Sequence, residues 1–241
     1  MTEQDIIETA RSFSRDYIRA KAQFWENGQA QPADALRDAA KLGLMSFETP
    51  QEYGGLGASF QTKQAICEEH ARGDMASAFA LVNTQNIAAK LAGGNTAQRH
   101  AELITSLMRG EVFGATALSE PGAGSDFAGI STIAERTKDG WSLTGSKAWI
   151  TNASIADVFI VYAQTDPASG WRGIAAFLVD AGKPGFNRGD TYQLLGGHAI
   201  GAGEFHLENY RVCADDMLSP PGDAFKHAMA TVNGARIYVA S

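Results

Sequence analysis

The 241-residue sequence has little of several features that mark other classes of protein. It contains two cysteines, Cys67 and Cys213, which are too few and too widely separated for a disulfide framework. No apolar run approaches the roughly 20 residues that a membrane-spanning helix needs. The net charge of −7 argues against nucleic acid as a partner. The acidic N-terminus lacks the pattern of a signal peptide, so we expect a cytoplasmic protein with no membrane partner.

Motifs with the residue spacing of a metal site or of a catalytic nucleophile are also missing from the sequence. The five histidines form no metal-ligand pattern. Glu204 and His206 are expected to share one face of a strand, but no third ligand is evident beside them. The sequence contains no phosphate-binding G-x-x-x-x-G-K-[ST] motif and nothing that resembles a Ser-His-Asp arrangement. We therefore expect no metal site.

Apolar residues recur at helical spacing through the first half of the chain. Leu36, Ala39 and Ala40 fall on one helical stripe, for example, and Gly43 loosens its end. The pattern predicts helices over four segments: 33–44, 59–72, 75–92 and 96–109.

The periodicity changes at Phe113. The segments that are typical of strands are 113–118, 130–137, 141–145, 158–164, 173–180 and 204–212. After Gly222 the pattern is helical again. Because helices precede a run of strands, the predicted fold class is α+β. We expect an N-terminal all-α helical domain over 1–111, a middle antiparallel β-barrel or sandwich domain over 112–220, and the start of a C-terminal helix over 221–241.

Two segments of the predicted β domain carry the residues that indicate chemistry. The first is a glycine-rich loop within 114–126, and the second is Lys147-Ala-Trp-Ile-Thr-Asn152. Gly122 and Gly124 permit a positive φ and a close approach of the backbone to a ligand. Hydroxyl donors and one flat apolar ring accompany them: Ser119, Ser125, Thr151 and Trp149. This combination suits a planar heteroaromatic ligand with carbonyl edges and a phosphate tail.

These motifs resemble the acyl-CoA dehydrogenase family. Ser119-Glu-Pro-Gly-Ala-Gly-Ser-Asp126 is similar to its [TS]-E-P-x-A-G-S-D loop, and Trp149-Ile-Thr-Asn152 to its W-I-T-N strand. Pro50-Gln-Glu-Tyr-Gly-Gly-Leu-Gly57 is similar to the P-x-x-Y-G-G-x-G turn, and Gly110-Glu111 to the G-E that closes the helical region. The resemblance covers nearly the whole chain. It implies FAD as the cofactor and a flavin-binding middle domain.

The resemblance also implies roles for individual residues. Ser119 would hydrogen-bond the pyrimidine edge of the flavin, Thr151 would approach N5, and Trp149 would pack on the isoalloxazine. Asn233 and Arg236 would contact an acyl-CoA ligand, and Ser125 would lie near it. The complete implied cofactor-binding set is Thr116, Ala117, Leu118, Ser119, Gly122, Gly124, Ser125, Trp149, Ile150 and Thr151.

Two departures from the family pattern concern the reaction. The family removes the α-proton of an acyl thioester with a glutamate, which most members carry in a C-terminal helical bundle beyond the segments matched here. A minority carry it directly before an arginine that matches Arg236, but Ala235 stands there in this chain. The catalytic base is therefore unknown. In 194–203 the family's L-G-x-R-x-S-x-T is not present, and His198 takes the place of its arginine.

Three functions follow from the resemblance. The first is FAD-dependent α,β-dehydrogenation of an acyl-CoA or acyl-carrier thioester, with the base supplied from outside this chain. The second is a flavin-dependent monooxygenase or oxidase on the same fold, and the third is a non-catalytic acyl-CoA-binding fragment. We also expect a homo-oligomer, or a partner chain that supplies the missing helical domain.

Overall fold

A computed structural model of the chain describes residues 1–28 and 32–241. The chain divides into two compact units. The first comprises Met1–Gly114, Gln193–Gly201 and Gly234–Ser241, and the second comprises Ala115–Tyr192 and Ala202–Asn233. Among the described residues, no helix combines the length and the apolar character that crossing a bilayer requires.

The first unit is helical, and local capping fixes where its helices begin. Thr2 Oγ1 accepts a hydrogen bond from Asp5 N at 3.1 Å, and the Asp5 carboxylate accepts one from Thr2 N at 2.8 Å. Asp74 caps another helix by accepting from Ser77 N at 2.7 Å. The helices are α1 (Glu3–Phe13), α2 (Arg19–Gly28), α3 (Ala33–Lys41), α4 (Phe60–Ala71), α5 (Met75–Ala92) and α6 (Ala101–Met108).

The predicted helices over 33–44, 59–72 and 75–92 are confirmed as α3, α4 and α5, although α3 ends at Lys41, before the predicted end at residue 44. The segment predicted over 96–109 differs, because it begins as a 3₁₀ turn at Ala97–His100 before α6. The predicted C-terminal helix is α7 (Ala224–Ala240).

The second unit contains an eight-stranded sheet. The strands are β1 (Gly114–Ala117), β2 (Ile133–Arg136), β3 (Gly140–Ile150), β4 (Val158–Gln164), β5 (Ile174–Asp180), β6 (Phe186–Thr191), β7 (Gly203–Cys213) and β8 (Met217–Ser219). Their order is β6-β7-β3-β2-β4-β5-β8, and β1 pairs with β4. Five neighbouring pairs along this order are antiparallel. The β2–β4 pair is parallel, with Ile133 opposite Gln164, so the predicted antiparallel sheet carries one parallel contact.

Two strands went unpredicted, and one is shorter than predicted. β6 is largely exposed and polar and β8 has three residues, so neither carries an alternating apolar pattern. β2 begins at Ile133 although the pattern predicted a strand from residue 130. The backbone N–H groups of Ser131 and Thr132 donate to the Glu120 carboxylate, which replaces strand pairing there.

The core of the second unit consists mainly of buried side chains from its strands. Three aromatic rings pack together in one part of it. The ring centroid of Phe159 lies 5.2 Å from that of Phe186 and 4.7 Å from that of Phe205. The hydroxyl of Tyr210 accepts from Asp180 N at 2.8 Å and donates to Asp180 O at 3.0 Å. These contacts hold β4, β5, β6 and β7 in a fixed arrangement, which supports the strand β3 that pairs with β7.

Candidate functional site

A bulge in β3 decides which of its side chains face outward. The pairing of β3 with β7 shifts register between Lys147 and Ile150. Trp149 has a φ of 62°, in the left-handed region that is uncommon for residues other than glycine. Lys147 and Ala148 are consecutive and both buried, whereas Trp149 is 63% exposed. The bulge therefore turns the Lys147 side chain inward and presents the indole of Trp149 at the surface.

The loop after β1 forms a tight turn beside this strand. Glu120 N donates to Ala123 O at 2.8 Å, and Ala123 N donates to Glu120 O at 3.1 Å. Pro121 and Gly122 are the two central residues of the turn, where proline supplies its fixed φ. Ala148 N donates to Ser119 O at 3.1 Å, so this loop is joined directly to β3. Ser119 is thereby held beside the segment that carries Trp149 and Thr151.

We expected Gly122 and Gly124 to provide a positive φ and a close approach of the backbone to a ligand, and the first of these expectations is wrong. Neither Gly122 nor Gly124 adopts a positive φ, so the turn does not need glycine for its backbone conformation. A Cβ added at either position would meet nothing within 4 Å. The space over both residues is therefore open, which leaves their backbone accessible to a ligand.

Several hydrogen-bond donors of this region are not used by the protein. Throughout residues 1–28 and 32–241, no protein group hydrogen-bonds the side-chain hydroxyls of Ser119, Ser125 or Thr151. The same holds for the backbone N–H groups of Gly122, Gly124 and Ser125 within those ranges. We call residues 119–125 together with 149–151 the cradle. Its open donors and exposed indole match a planar ring with acceptor edges, as a flavin has.

Two residues of the implied cofactor-binding set have little or no outward surface. The side chains of Ala117 and Ile150 pack in the core of the second unit, so they offer a ligand only their backbone. Leu118 and Thr116 are half-buried. Leu118 O accepts a hydrogen bond from Lys147 Nζ at 3.3 Å.

A buried ion pair lies directly behind the cradle. Lys147 Nζ donates to Glu120 Oε1 at 2.8 Å, and the two side chains are 0% and 1% exposed. The same carboxylate accepts from Ser131 N at 2.6 Å, Ser131 Oγ at 2.7 Å and Thr132 N at 3.0 Å. This pair was not predicted from the sequence. A charged residue inside each of the two motifs, among small and apolar neighbours, was the signal that could have revealed it.

Both members of this pair carry charge near neutral pH. Burial alone raises the pKa of the Glu120 carboxyl, but the charge of Lys147 and the hydrogen bonds from Lys147, Thr132 and Ser131 outweigh it and lower the pKa to about 2. Burial lowers the pKa of Lys147 to about 8 against the opposing effect of Glu120. At pH 7 the carboxylate and the ammonium group are both ionised.

Tyr192 supports the exposed indole and was also missed. Its ring centroid lies 4.3 Å from that of Trp149. Its hydroxyl donates to Glu204 Oε2 at 2.7 Å, and burial followed by this hydrogen bond raises the pKa of Tyr192 to about 12. His206 Nε2 lies 3.9 Å from Glu204 Oε1, and its Nδ1 pairs with Ser146 Oγ at 2.8 Å. Outside residues 29–31, no three His, Cys, Asp or Glu side chains are grouped to hold a metal ion.

The residues expected to contact substrate lie on α7. Asn233 and Arg236 are exposed and three residues apart, so they share one side of the helix. Ala235, between them, is half-buried and offers only a methyl group. No aspartate or glutamate occurs in Ala224–Ala240, so α7 supplies no carboxylate base.

His198 belongs to a structural contact in the first unit. The Glu26 carboxylate accepts from Gly197 N at 3.0 Å and from His198 N at 3.0 Å, and it lies 3.2 Å from His198 Nδ1. These hydrogen bonds, led by the backbone N–H of His198, lower the pKa of Glu26. His198 therefore ties its loop to α2.

The first unit also contains an apolar cavity of about 270 Å³. Side chains from α4, α5 and the end of α7 line it, among them Cys67, Met75, Phe79, Val82 and Tyr238. Burial raises the pKa of the Cys67 thiol to about 12, so the thiol stays neutral and apolar. The Tyr238 hydroxyl accepts from Asn86 Nδ2 at 3.1 Å. The cavity is suited to a hydrocarbon chain.

Comparison with family models agrees with this architecture. The model described as the acyl-CoA dehydrogenase N-terminal domain matches residues 1–111. The model described as the acyl-CoA dehydrogenase middle domain matches residues 115–210, which include all of the cradle.

Individual relatives match over the whole chain. Human mitochondrial short-chain specific acyl-CoA dehydrogenase is 35% identical over 243 residues, covering 100% of this chain and 58% of that protein. The structure of butyryl-CoA dehydrogenase from Megasphaera elsdenii superposes with a TM-score of 0.93 at 32% identity, covering 100% of this chain and 64% of the other. An FAD complex of PigA superposes with a TM-score of 0.85 at 27% identity, covering 95% and 61%. The chain thus spans about three fifths of the length of these relatives.

Proposed function

The chain belongs to the acyl-CoA dehydrogenase family, and from this premise we propose that it binds FAD and acts in α,β-dehydrogenation of an acyl thioester. The observation that carries the proposal is the cradle, where three hydroxyl donors and three backbone N–H donors are unused beside the exposed indole of Trp149. Similar structures include a butyryl-CoA dehydrogenase and a complex of PigA with FAD. In this reaction FAD supplies the acceptor for the hydride that leaves the β-carbon.

Different cradle residues contact different parts of the flavin ring. The Ser119 hydroxyl donates to the pyrimidine edge, and the Thr151 hydroxyl donates toward N5. Trp149 packs on the ring face, with Tyr192 behind it. The open backbone at Gly122 and Gly124 admits the polar part of the cofactor at hydrogen-bonding distance. Hydrogen bonds to the ring tune how readily it accepts electrons, which is the contribution of the protein to flavin chemistry.

The substrate proposal rests on other residues. The apolar cavity of the first unit is the place for the hydrocarbon chain of the acyl group. The family resemblance assigns contacts with the thioester carrier, CoA or an acyl carrier, to Ser125, Asn233 and Arg236, and these roles are part of the proposal. We propose that the base that removes the α-proton is supplied from outside this chain, and the lack of a carboxylate in α7 supports this.

The test uses the FAD-loaded protein under anaerobic conditions, mixed with butyryl-CoA as the probe. We expect a change in the flavin spectrum on binding, without bleaching, because α7 carries no carboxylate that could remove the α-proton. The A235E variant places a carboxylate at the position that some family members use, and we expect it to bleach the bound flavin. A flavin that neither wild type nor A235E bleaches, with butyryl-CoA demonstrably bound, would contradict dehydrogenation.

The absence of a carboxylate from α7 also favours a second candidate, a monooxygenase or oxidase that uses reduced flavin to activate O₂. Photoreduced protein mixed with oxygenated buffer distinguishes the two. Rapid formation of a flavin–oxygen adduct supports the second candidate, and slow reoxidation without an adduct contradicts it. Protein that takes up no FAD at all would leave the non-catalytic acyl-CoA-binding alternative.

The proposal also includes a binding partner, which is either a second copy of this chain or a different chain. Large apolar side chains are exposed in the first unit, including Leu195, Ile237 and Val239. We expect self-association, or binding of a chain that covers these residues, in the cytoplasm. Light scattering at high protein concentration measures this, and a monomer at all concentrations argues against self-association.

A further inference from the structure

The buried pair of Glu120 and Lys147 is more than a packing feature. Removing two charges from water is costly, and well-packed apolar residues of similar volume are often as stabilising or more so. The pair nevertheless lies at 0–1% exposure, with its carboxylate accepting four hydrogen bonds from protein donors. Such an arrangement fixes directions as well as distances, because each donor must lie close to a lone pair of the carboxylate.

The pair joins the two halves of the cradle at several points. Lys147 Nζ reaches Leu118 O as well as Glu120, so the ammonium group holds both sides of Ser119. The next residue on β3, Ala148, donates its N–H to Ser119 O, and Trp149 follows immediately. On the other side, Glu120 fixes Ser131 and Thr132, which lead into β2.

We propose that Glu120 and Lys147 are positioning residues that set the spacing between the 119–125 loop and the 149–151 segment, and thereby the fit of the cradle to the flavin ring. The inference rests on the proposed FAD binding. Neither side chain reaches the cradle surface, so both act through Ser119, Ala148 and Trp149. The inward turn of Lys147 at the β3 bulge and the outward turn of Trp149 are two results of one backbone irregularity.

The first measurement does not need FAD. Hydrogen exchange is followed in the wild type, in K147M and in E120Q, in peptides covering 117–126, 130–133 and 147–152. We expect the amides of Ala123, Ser131 and Ala148 to exchange at least about tenfold faster in both variants, because their acceptors lose a fixed position. K63M is the matched control. Lys63 is also buried and donates to Glu48 Oε2 at 2.6 Å, but it lies in the first unit. Unchanged exchange in K147M and E120Q would overturn the proposal.

The second measurement titrates FAD by fluorescence and records the visible spectrum of the bound flavin. We expect Kd to rise at least about tenfold in K147M and E120Q, the effect of losing about one well-made hydrogen bond, and to stay within about twofold in K63M. Equal Kd values in K147M, E120Q and K63M would overturn the positioning role. Wild-type protein that binds no FAD would instead contradict the proposed function, while the exchange result would still report on the pair.

The double variant E120Q/K147M distinguishes an effect on the position of the cradle residues from an effect on protein stability. It also replaces K147M in these measurements if K147M does not fold. It leaves no lone buried charge, so we expect its urea midpoint to return toward that of the wild type. We expect its FAD affinity and its flavin spectrum to remain altered. Affinity and stability that return together would contradict the proposal, since a merely structural pair would behave in that way.

Discussion

Substitution of Gly124 separates the folding of the loop from its use by a ligand. A Cβ at Gly124 would meet nothing within 4 Å, and the residue is exposed without a positive φ. We therefore expect G124V to change the free energy of unfolding by no more than about 0.5 kcal/mol, as is usual for a surface substitution. The valine side chain nevertheless fills the space in which the cradle is proposed to receive FAD.

The size of the binding effect follows from the cost of overfilling a packed contact, about 1–3 kcal/mol. At about 1.4 kcal/mol for each factor of ten, this predicts a rise in the Kd for FAD of about 5- to 150-fold. Urea denaturation of the protein without FAD measures stability, and fluorescence titration with FAD measures affinity.

Substitutions of two other glycines serve as controls for G124V. At Gly94 a Cβ would make ordinary contact, 3.4 Å from Leu91 O, so G94A should change neither quantity. At Gly114 a Cβ would lie 2.7 Å from Ile87 Cγ1, so G114A should destabilise the protein by about 1–3 kcal/mol. If G124V binds FAD as tightly as the wild type does, the space over Gly124 does not receive the cofactor and the reasoning is refuted.

Three further predictions concern titration, thiol chemistry and the indole. Burial lowers the pKa of His70 from 6.5 to about 4, so the unfolded chain binds the additional proton and stability falls as the pH drops from 6.5 to 4, by about 3 kcal/mol in total. Urea midpoints of H70L measured over this range should fall less steeply than those of the wild type, and equal slopes would contradict the assignment. Because burial raises the pKa of Cys67 to about 12, iodoacetamide at pH 8 should alkylate Cys213 before Cys67, and peptide mass spectrometry that finds the reverse order disproves this. Y192F removes the hydrogen bond to Glu204 and should weaken FAD binding a few-fold by freeing the Trp149 ring, with H206A as a control that leaves the affinity unchanged.

Much of the fold could be predicted from local patterns. β4 reads as an uninterrupted apolar strand, and its predicted bounds, 158–164, are those observed. The predicted helices over 33–44, 59–72 and 75–92 also matched α3, α4 and α5, because capping and apolar spacing are local properties of the sequence. The division of the chain at residues 111 and 220, the cytoplasmic location and the role of each cradle residue stay predictions.

What the sequence could not supply depends on tertiary pairing. A lysine in a strand is normally expected to face water, and only the register shift against β7 reveals that Lys147 turns inward to Glu120. Tyr192 is distant from Trp149 in sequence, so their ring contact follows only from the arrangement of β3 and β6 around β7. The same is true of His198, which stands where the family has an arginine. Its structural role follows only from its contact with Glu26 on α2.

The most direct test of the cradle is a crystal structure of the protein soaked with FAD. We predict that the isoalloxazine lies on the indole of Trp149, with the hydroxyls of Ser119 and Thr151 within about 3.2 Å of its polar edge. A ring bound elsewhere, or a cradle closed by its own side chains after soaking at saturating FAD, would contradict the account.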